Sequence, residues 1–379
     1  MNPFRYNPWW LPAALLAALF TCVILFSALV ISRSNITTDT SLNLSDNAKT
    51  QQVYHWRMVT TWPKKFPGLG LAPENFAEML KKMSNGRLNI TVYGANEIVP
   101  AMGVFDAVSS GSVEMGHGAA YYWKGKIPAS AFFTAVPFGM NAQEFNGWLH
   151  YGGGLELWRE IYAPFDLVPF AAGNTGVQMG GWFNKEIHSL ADLQGLKMRI
   201  PGYGGEVFSR AGGTAVNIPG GELYTSLQSG VIDATEWVGP YNDRAFGFQQ
   251  IAKYYYYPGW HEPGPCLEII VNSKALATLP EDLKAMVAIA ARAVNQDMLD
   301  EYTARNNSAL VELVEEQGVQ LRRFPDDVLS QLKKISWDLY EEKAEQDPVF
   351  AKVLKSYKAF YDNARAYHKY SEEAYYQYR

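Results

Sequence analysis

The sequence predicts an α/β protein of two lobes, followed by a long helical C-terminal region. Three observations predict it. Strand-like and helix-like segments alternate from about residue 53 to residue 240. The chain has 379 residues and is 48% hydrophobic, which is enough for more than one domain of ordinary size. From Pro280 onward, apolar residues recur at helical spacing with few residues that break helices.

The first lobe begins with an apolar–polar alternation, VYHWRMVTTW, that predicts a strand over 53–62. A helix is predicted over 73–85, and Gly86 ends it. The segment LNITVYG predicts a second strand, and a second helix runs from 101 to about 110. A third short strand in SVEMGHGAAYYW leads into a loop. This β-α-β-α-β succession predicts an open sheet of parallel strands.

The middle of the chain continues in the same style. Strands are predicted in LVPFAAGNTGVQMGGWF, LKMRI, TAVNIP and VIDATEW, and short helices in SLADLQG, over 203–211 and in GELYTSLQSG. The chain is expected to cross between the lobes near 170 and again near 260–270.

Two helical stretches make up the C-terminal region. The first runs from Pro280 to Gly318, and the second runs from about 326 to 379 with an interruption at Pro348. The second carries many aromatic residues: Tyr357, Phe360, Tyr361, Tyr367, Tyr370, Tyr375 and Tyr376. Such a helix either packs onto its own body or docks onto a second subunit, and the sequence leaves both open.

The N-terminal 33 residues differ from the rest. Residues 9–31 carry no charge and lie between Arg5 and Arg33. The run is longer than the apolar part of a signal peptide, about 7–15 residues, and long enough for a membrane span of about 20. Segment 1–33 is therefore a cleaved signal or a retained anchor, and either directs export. Residues 34–52 are polar and predict a flexible linker to a body over 53–379.

Composition and motifs exclude several classes of protein. A net charge of −5 argues against nucleic acid as the main partner. The P-loop, the G-x-S-x-G motif and the H-E-x-x-H motif are all missing. The body has a single cysteine, Cys266, which predicts a small buried hydrophobic residue rather than a catalytic thiol. His117, His188 and His261 lack the spacing of zinc ligands and are expected to be structural or solvated.

Two glutamates stand in apolar, turn-rich surroundings. Glu236 lies in ATEWVGP and Glu262 in GWHEPGP. Three interpretations are open: a general acid/base couple, a site for a hard cation such as Na⁺ or Ca²⁺, or structural acceptors for buried N–H groups.

Two further side chains suggest anion binding. Arg199 ends a predicted strand directly before Pro201-Gly202, and ligands of open α/β sheets bind outside the carboxyl ends of strands. Its planar guanidinium can hold a carboxylate by two hydrogen bonds, although a surface arginine at a strand edge is an equal alternative. Gln178, among apolar neighbours, carries an amide that can serve both a cation and an anion.

The succession GVQMGGWFNKEIHSLADLQGLKMRIPG, GGELYTSLQSGVIDATEWVGP and GWHEPG resembles the solute-binding proteins of TRAP transporters (tripartite ATP-independent periplasmic transporters). ATEWVGP together with GWHEPG resembles the subgroup that binds 2-oxo monocarboxylates or lactate with a cation. The likeness covers about 53–379. It implies a two-lobed fold of the periplasmic-binding-protein type, with the ligand cleft between the lobes.

The resemblance also implies roles for individual residues. Arg199 would hold the ligand carboxylate, and Gln178 would touch both ligand and metal. The remaining metal ligands would be Glu236, the backbone carbonyl of Trp237, and Glu262. Tyr121 and Tyr122 would line the first-lobe side of the cleft, and Asn174 would reach a ligand hydroxyl or oxo oxygen.

The function implied is periplasmic capture of a small 2-oxo or 2-hydroxy monocarboxylate such as pyruvate, with Na⁺ or Ca²⁺, and its delivery to the membrane subunits of the transporter. No catalysis is expected, and members of the subgroup can dimerise through C-terminal helices. A segment 9–31 long enough to stay as an inner-membrane tether departs from the usual cleaved signal. Alternative functions are an extracytoplasmic hydrolase or lyase that uses Glu236 and Glu262 as acid and base, or a tethered carboxylate sensor.

Overall fold

The computed structural model describes residues 25–27, which are helical, and residues 52–379. The chain divides into two units, 1–52 and 53–379, and the second is the body described below. The predictions for the hydrophobic run 9–31 and the linker 34–52 fall almost entirely outside the described residues. Within 25–27 and 52–379, no helix has both the length and the apolar character needed to cross a bilayer.

The strands of the body form two sheets. In chain order they are β1 (Tyr54–Thr60), β2 (Leu88–Tyr93), β3 (Met115–Gly118), β4 (Leu167–Asn174), β5 (Gly181–Phe183), β6 (Lys197–Arg199), β7 (Thr214–Val216), β8 (Ala234–Thr235), β9 (Tyr254–Tyr257), β10 (Cys266–Asn272) and β11 (Gln320–Arg323). The first sheet has the order β2-β1-β3-β10-β4, and the second has the order β11-β9-β5-β8-β6-β7. The predicted two-sheet α/β architecture is therefore confirmed.

Helices connect and cover the strands. They are α1 (Leu71–Met83), α2 (Val104–Ser109), α3 (Ala142–Tyr151), α4 (Gly154–Tyr162), α5 (Gly202–Arg210), α6 (Leu223–Gln228), α7 (Pro240–Phe246), α8 (Ser273–Thr278), α9 (Glu281–Val311), α10 (Asp326–Gln346), α11 (Pro348–His368) and α12 (Glu372–Tyr376). Of these, α3, α4, α7 and α8 are not among the elements that the sequence predicts.

The direction of the strands is mixed. β1 pairs in parallel with β2 and β3, as the β-α-β-α-β pattern predicts. β10, which the sequence does not predict, lies antiparallel between β3 and β4. All seven residues of β10 are buried. Since a strand buried on both faces has no apolar–polar alternation, periodicity could not reveal it.

Of the three connections between the sheets, two lie side by side, and the third, from β10 to β11, contains the long helix α9. The chain leaves the first sheet after β4 and enters the second at β5, and it returns between β9 and β10. The long helix α9 packs against β4 and α1 on the side of the first sheet. It also packs against α7 on the side of the second sheet. On this helix Asn295 accepts a hydrogen bond from the Gly173 amide, and Tyr302 donates one to Asn242. One helix thus supports the chain on both sides of the crossing.

The C-terminal aromatic residues divide into two groups. On α11, the Tyr357 hydroxyl accepts a hydrogen bond from the Met140 amide, and the Tyr361 hydroxyl donates one to the Phe138 carbonyl. This part of the region packs onto its own body. The last tyrosines are exposed: Tyr367, Tyr370, Tyr375, Tyr376 and Tyr378.

A buried acid on β10 makes the stability of the fold depend on pH. Burial raises the pKa of Glu268 to about 7, against the hydrogen bond that it accepts from Trp123. Because its ordinary pKa is 4.5, the folded state holds this proton more tightly than the unfolded state does. The free energy of unfolding therefore falls as pH rises from about 4.5 to about 7, by up to about 3 kcal/mol.

The Glu268→Gln variant should lose this part of the pH dependence, since glutamine keeps an acceptor for Trp123 and carries no charge. We expect its free energy of unfolding to fall less than that of the wild type between pH 5 and pH 8. Urea unfolding at four pH values measures the difference. Parallel curves for the two proteins across that range would show that Glu268 does not titrate in this way.

Candidate functional site

Three loops meet where the chain crosses between the sheets. The Gln178 amide donates to the Glu262 carbonyl at 3.1 Å, and the Met179 amide donates to the Val238 carbonyl at 3.0 Å. The Gly259 amide donates to the Gln178 carbonyl at 3.0 Å. A Cβ at Gly259 would lie 2.2 Å from that carbonyl oxygen, so only glycine fits there. The loops that carry Gln178, Glu236 and Glu262 are thus fixed to one another by backbone hydrogen bonds.

Asp243 holds the loop after Glu236 in place. One of its carboxylate oxygens accepts from the Val238 and Gly239 amides, both at 3.1 Å. The other accepts from the Tyr255 hydroxyl at 2.7 Å and the Trp182 indole at 3.0 Å. Burial raises the pKa of Asp243 to about 7, and these hydrogen bonds oppose the rise. The sequence gives no sign of this residue's role, because that role depends on partners that are distant in the chain.

A buried ion pair forms one side of the site. Arg199 and Glu236 are each 1% exposed, and the Arg199 Nη1 donates to the Glu236 carboxylate. The Nε donates to the Ile218 carbonyl at 3.1 Å, and the Nη2 donates to the Tyr122 hydroxyl at 3.2 Å. Burial disfavours the charged guanidinium, but Glu236, Tyr122, Tyr121 and Glu262 together outweigh it and raise the pKa of Arg199 above its ordinary value. Arg199 is therefore a fixed, buried positive charge and not a surface arginine.

Glu262 faces this pair from the loop before β10. Burial, followed by the negative charge of Glu236, raises the pKa of Glu262 well above its ordinary value. The charge of Arg199 and the side chains of Tyr121 and Gln178 partly offset the rise. A carboxyl group in this environment favours a neighbouring cation.

The amide oxygen of the Gln178 side chain is available to bind a cation. Its Nε2 donates to the Thr175 hydroxyl at 3.1 Å, whereas its Oε1 is buried and has no hydrogen-bond partner within residues 52–379. A small cavity of about 10 Å³, roughly the size of one water molecule, lies beside it. The cavity is lined by Trp62, Leu69, Tyr121, Thr175, Gln178, Trp237, Val238, Glu262, Pro265 and Leu267.

The donor atoms are close enough to share one ion. Glu236, His261 and Glu262 each offer one atom, and these atoms lie within 4.8 Å of one another. Ligands of Ca²⁺ stand about 2.3–2.6 Å from the ion, so atoms on opposite sides of it can be about 5 Å apart. With the Gln178 amide oxygen, the set is rich in oxygen and fits a hard cation.

His261, which the sequence predicts to be structural or solvated, is a member of this cluster. It is 2% exposed, and its Nε2 lies 3.2 Å from the second carboxylate oxygen of Glu236. The only signal in the sequence was its position directly before Glu262. By contrast, His117 is structural, as predicted: it accepts a hydrogen bond from the Trp62 indole, and burial lowers its pKa to about 4.

The other predicted residues lie around the same cluster. Tyr122 contacts Arg199, Tyr121 lines the small cavity, and the Trp237 ring lies 5.2 Å from the Arg199 guanidinium. Asn174 is buried, but its amide donates to the Gly264 carbonyl and its oxygen accepts from the Gly176 amide. Both ends of the Asn174 side chain therefore tie the loops together.

Comparisons with known proteins place this geometry in a family. The model of bacterial extracellular solute-binding proteins, family 7 (DctP), matches residues 58–347. A relative from Nostoc sp., named monocarboxylate 2-oxoacid-binding periplasmic protein, is 47% identical over 320 residues, which are 84% of this chain and 87% of that protein.

Two solved structures are similar over the same part of the chain. The TRAP periplasmic solute-binding protein from Pseudoalteromonas atlantica, with bound sodium and pyruvate, is 46% identical with a TM-score of 0.84, and the match covers 86% of this chain and 100% of that one. The protein from Colwellia psychrerythraea, with bound calcium and pyruvate, is 46% identical with a TM-score of 0.84, and the match covers 86% of this chain and 99% of that one. The chain therefore belongs to the DctP family of TRAP solute-binding proteins.

Proposed function

We propose that this protein captures a small 2-oxo monocarboxylate, such as pyruvate, together with a Na⁺ or Ca²⁺ ion, and delivers it to the membrane subunits of a TRAP transporter. The observation that carries the proposal is the buried guanidinium of Arg199 beside a cluster of Glu236, His261 and Glu262 at the crossing between the sheets. The relatives that hold pyruvate with sodium or calcium support the same assignment.

Arg199 would bind the ligand carboxylate. Its Nε is held by the Ile218 carbonyl, so the guanidinium is already oriented, and its Nη1 and Nη2 point to Glu236 and the Tyr122 hydroxyl. A planar guanidinium fixed in this way can form two parallel hydrogen bonds with a carboxylate. Exclusion of water by the Trp237 ring strengthens each of them.

The charges of the site explain why a cation is needed. Glu236, Glu262 and the ligand carboxylate would place three negative groups around the single guanidinium of Arg199. The cation would be held by the Gln178 amide oxygen, the Glu236 and Glu262 carboxylates and the Trp237 carbonyl. It supplies positive charge that offsets the glutamates and an additional contact for the ligand oxygens.

Glu236 is suited to binding and not to general-base catalysis. One oxygen of Glu236 accepts from Arg199, and the other lies 3.2 Å from the His261 ring nitrogen. Both oxygens are thereby engaged, so this carboxylate is a poor general base. Cys266 is buried, and burial raises the pKa of its thiol well above the ordinary value, which makes it a poor nucleophile.

A ligand panel tests the proposed function. The purified protein is unfolded and refolded to remove any carried ligand, and it is titrated with pyruvate, 2-oxobutyrate, lactate and acetate in Ca²⁺ and in Na⁺. We expect one-to-one binding of a 2-oxo acid, much weaker binding of acetate, and no change of the ligand in an NMR spectrum after prolonged incubation. Loss of the ligand signal with a new product would support the hydrolase or lyase alternative.

We further propose that the protein acts in the periplasm and that the segment 9–31 directs its export, as a cleaved signal or as a tether to the inner membrane. Mass spectrometry of the protein isolated from its native envelope distinguishes the two. A chain that begins after residue 31 would be a free periplasmic protein, and an intact chain in the membrane fraction would be tethered.

The exposed tyrosines near the C-terminus are proposed to pair with a second copy of the chain. Tyr370 and Tyr378 are 85% and 88% exposed, and burial of exposed aromatic side chains stabilises interfaces between subunits. We expect light scattering to give the mass of a dimer, and the Tyr370→Ser/Tyr378→Ser variant to shift the protein toward a monomer. The Tyr151→Ser variant, which changes another exposed tyrosine, serves as the control. A monomeric wild type at concentrations of about 100 μM would contradict the proposal.

A further inference from the structure

Two cavities of very different size lie on either side of Tyr121. The inner one, beside Gln178 and Glu262, has a volume of about 10 Å³. The outer one is a cleft of about 700 Å³, and its wall includes Tyr121, Tyr122, Tyr203, Glu206 and Lys343. Tyr121 is the one residue that lines both. The side chain of Tyr121 is therefore a partition between the buried site and a much larger space.

The partition is held firmly on each side. The Tyr121 amide donates to the Thr134 hydroxyl at 3.3 Å, and its ring packs edge-on against Tyr122 with 4.8 Å between centroids. On the side of the outer cleft, a Cβ added at Gly202 would lie 3.2 Å from the Tyr121 ring. Gly202 has a φ of +64°, which glycine adopts readily, so the backbone approaches the ring closely. On the inner side, Tyr121 faces the Glu262 carboxylate.

The remaining walls of the inner cavity are backed by other parts of the core. Trp62 packs against both His117 and Trp237, with ring centroids 6.4 and 6.1 Å apart. Leu267 lies on β10 in the middle of the first sheet, where every residue of the strand is buried. Shortening these side chains would leave gaps within the core. Shortening Tyr121 would instead join the inner cavity to existing open space.

We propose that Tyr121 limits the length of the ligand side chain and so sets the preference of the site for short 2-oxo acids. This rests on the proposed function. The carboxylate and 2-oxo groups would be fixed between Arg199 and the cation ligands, so only the far end of the ligand differs along a series of 2-oxo acids. The inner cavity has space for about one water molecule, so a longer chain needs more room at its walls, and Tyr121 is the only one of its lining residues that also borders the outer cleft.

The test compares the Kd values of pyruvate, 2-oxobutyrate, 2-oxovalerate and 2-oxohexanoate in Ca²⁺ buffer for the wild type and three variants. For the wild type, we expect binding to weaken at least about tenfold from pyruvate to 2-oxovalerate. In Tyr121→Ala, we expect the ratio of these two Kd values to fall at least about tenfold, because the longer chain enters the outer cleft.

The Tyr121→Phe variant separates the partition from the hydroxyl. It keeps the ring and loses the contact with Glu262, so all four acids should bind a few times more weakly. The ratio of the Kd values for 2-oxovalerate and pyruvate should stay the same as in the wild type. Lys343→Ala changes another residue that lines the outer cleft, so it is the matched control and should also keep the ratio. If Tyr121→Ala fails to fold by circular dichroism, Tyr121→Leu takes its place and should show an intermediate ratio.

The outcomes separate this inference from the proposed function. A wild type that prefers pyruvate, with the same Kd ratio in Tyr121→Ala and Tyr121→Leu, would overturn the role of Tyr121 and leave the proposed function intact. A wild type that binds none of the four acids would overturn the proposed function itself. A wild type that already binds all four equally well would overturn the role of Tyr121 as a limit on length.

Discussion

Replacing Arg199 with methionine is expected to weaken 2-oxo acid binding about 30- to 5,000-fold. Removing one partner of a buried, hydrogen-bonded charge pair costs about 2–5 kcal/mol, and each 1.4 kcal/mol is about a factor of ten in Kd. Arg199 is 1% exposed and held in place by the Ile218 carbonyl, so water cannot compensate for its loss. Calorimetric titration with pyruvate at a saturating Ca²⁺ concentration measures the change.

The same substitution affects the fold, and the experiment has to separate the two effects. Without Arg199, the buried carboxylate of Glu236 keeps only the neighbouring His261 ring, and an unpaired buried charge costs about 3–5 kcal/mol of stability. The Arg199→Met/Glu236→Gln double variant removes that charge and should regain stability but not binding. Arg199→Lys keeps the charge and loses the planar fork, so its affinity should be intermediate. Wild-type affinity in the double variant would contradict the assigned role of Arg199.

Replacing Glu236 with glutamine is expected to weaken pyruvate binding at least about 100-fold in Ca²⁺ buffer and to make binding nearly independent of the cation. Glutamine keeps the shape of the side chain and an acceptor for Arg199, but it removes the charge that holds the ion. Glu262→Gln should act in the same direction. The measurement is the ratio of the Kd values with chelator and with Ca²⁺, which should approach one.

Glu268 offers a matched control for these variants. It is also a buried glutamate, but it lies on β10 beside Trp123 and outside the cluster. Glu268→Gln should therefore bind pyruvate with the cation dependence of the wild type. If Glu236→Gln and Glu262→Gln also kept that dependence, the cation would have to bind elsewhere.

Local patterns of the sequence were sufficient for much of the fold and for the position of Arg199. Alternating and helical periodicities gave β1, β2, α1 and α9 to within a few residues, because each of these elements has one buried and one exposed face. Arg199 was found because it ends a strand before Pro201-Gly202, and the structure places it at the C-terminal end of β6.

Features that depend on distant partners could not be predicted in this way. β10 is an interior strand of its sheet, and its pattern is apolar except for Glu268 and the terminal Asn272. The role of His261 depends on its contact with Glu236, which the fold brings next to it. The role of Asp243 depends in the same way on the amides of Val238 and Gly239. The same limit applies to Tyr121, whose position between two cavities is a property of the packing of both lobes.

The central claim is that the cation and the 2-oxo acid bind together at the Arg199–Glu236–Glu262 cluster. The most direct test is a calorimetric titration of pyruvate into the refolded, ligand-free protein, with chelator in a sodium-free buffer, with Na⁺ and with Ca²⁺. We predict one-to-one binding that is at least about tenfold tighter with one of the two cations than with chelator. Equal affinity in all three buffers, or no binding in any of them, would contradict the account.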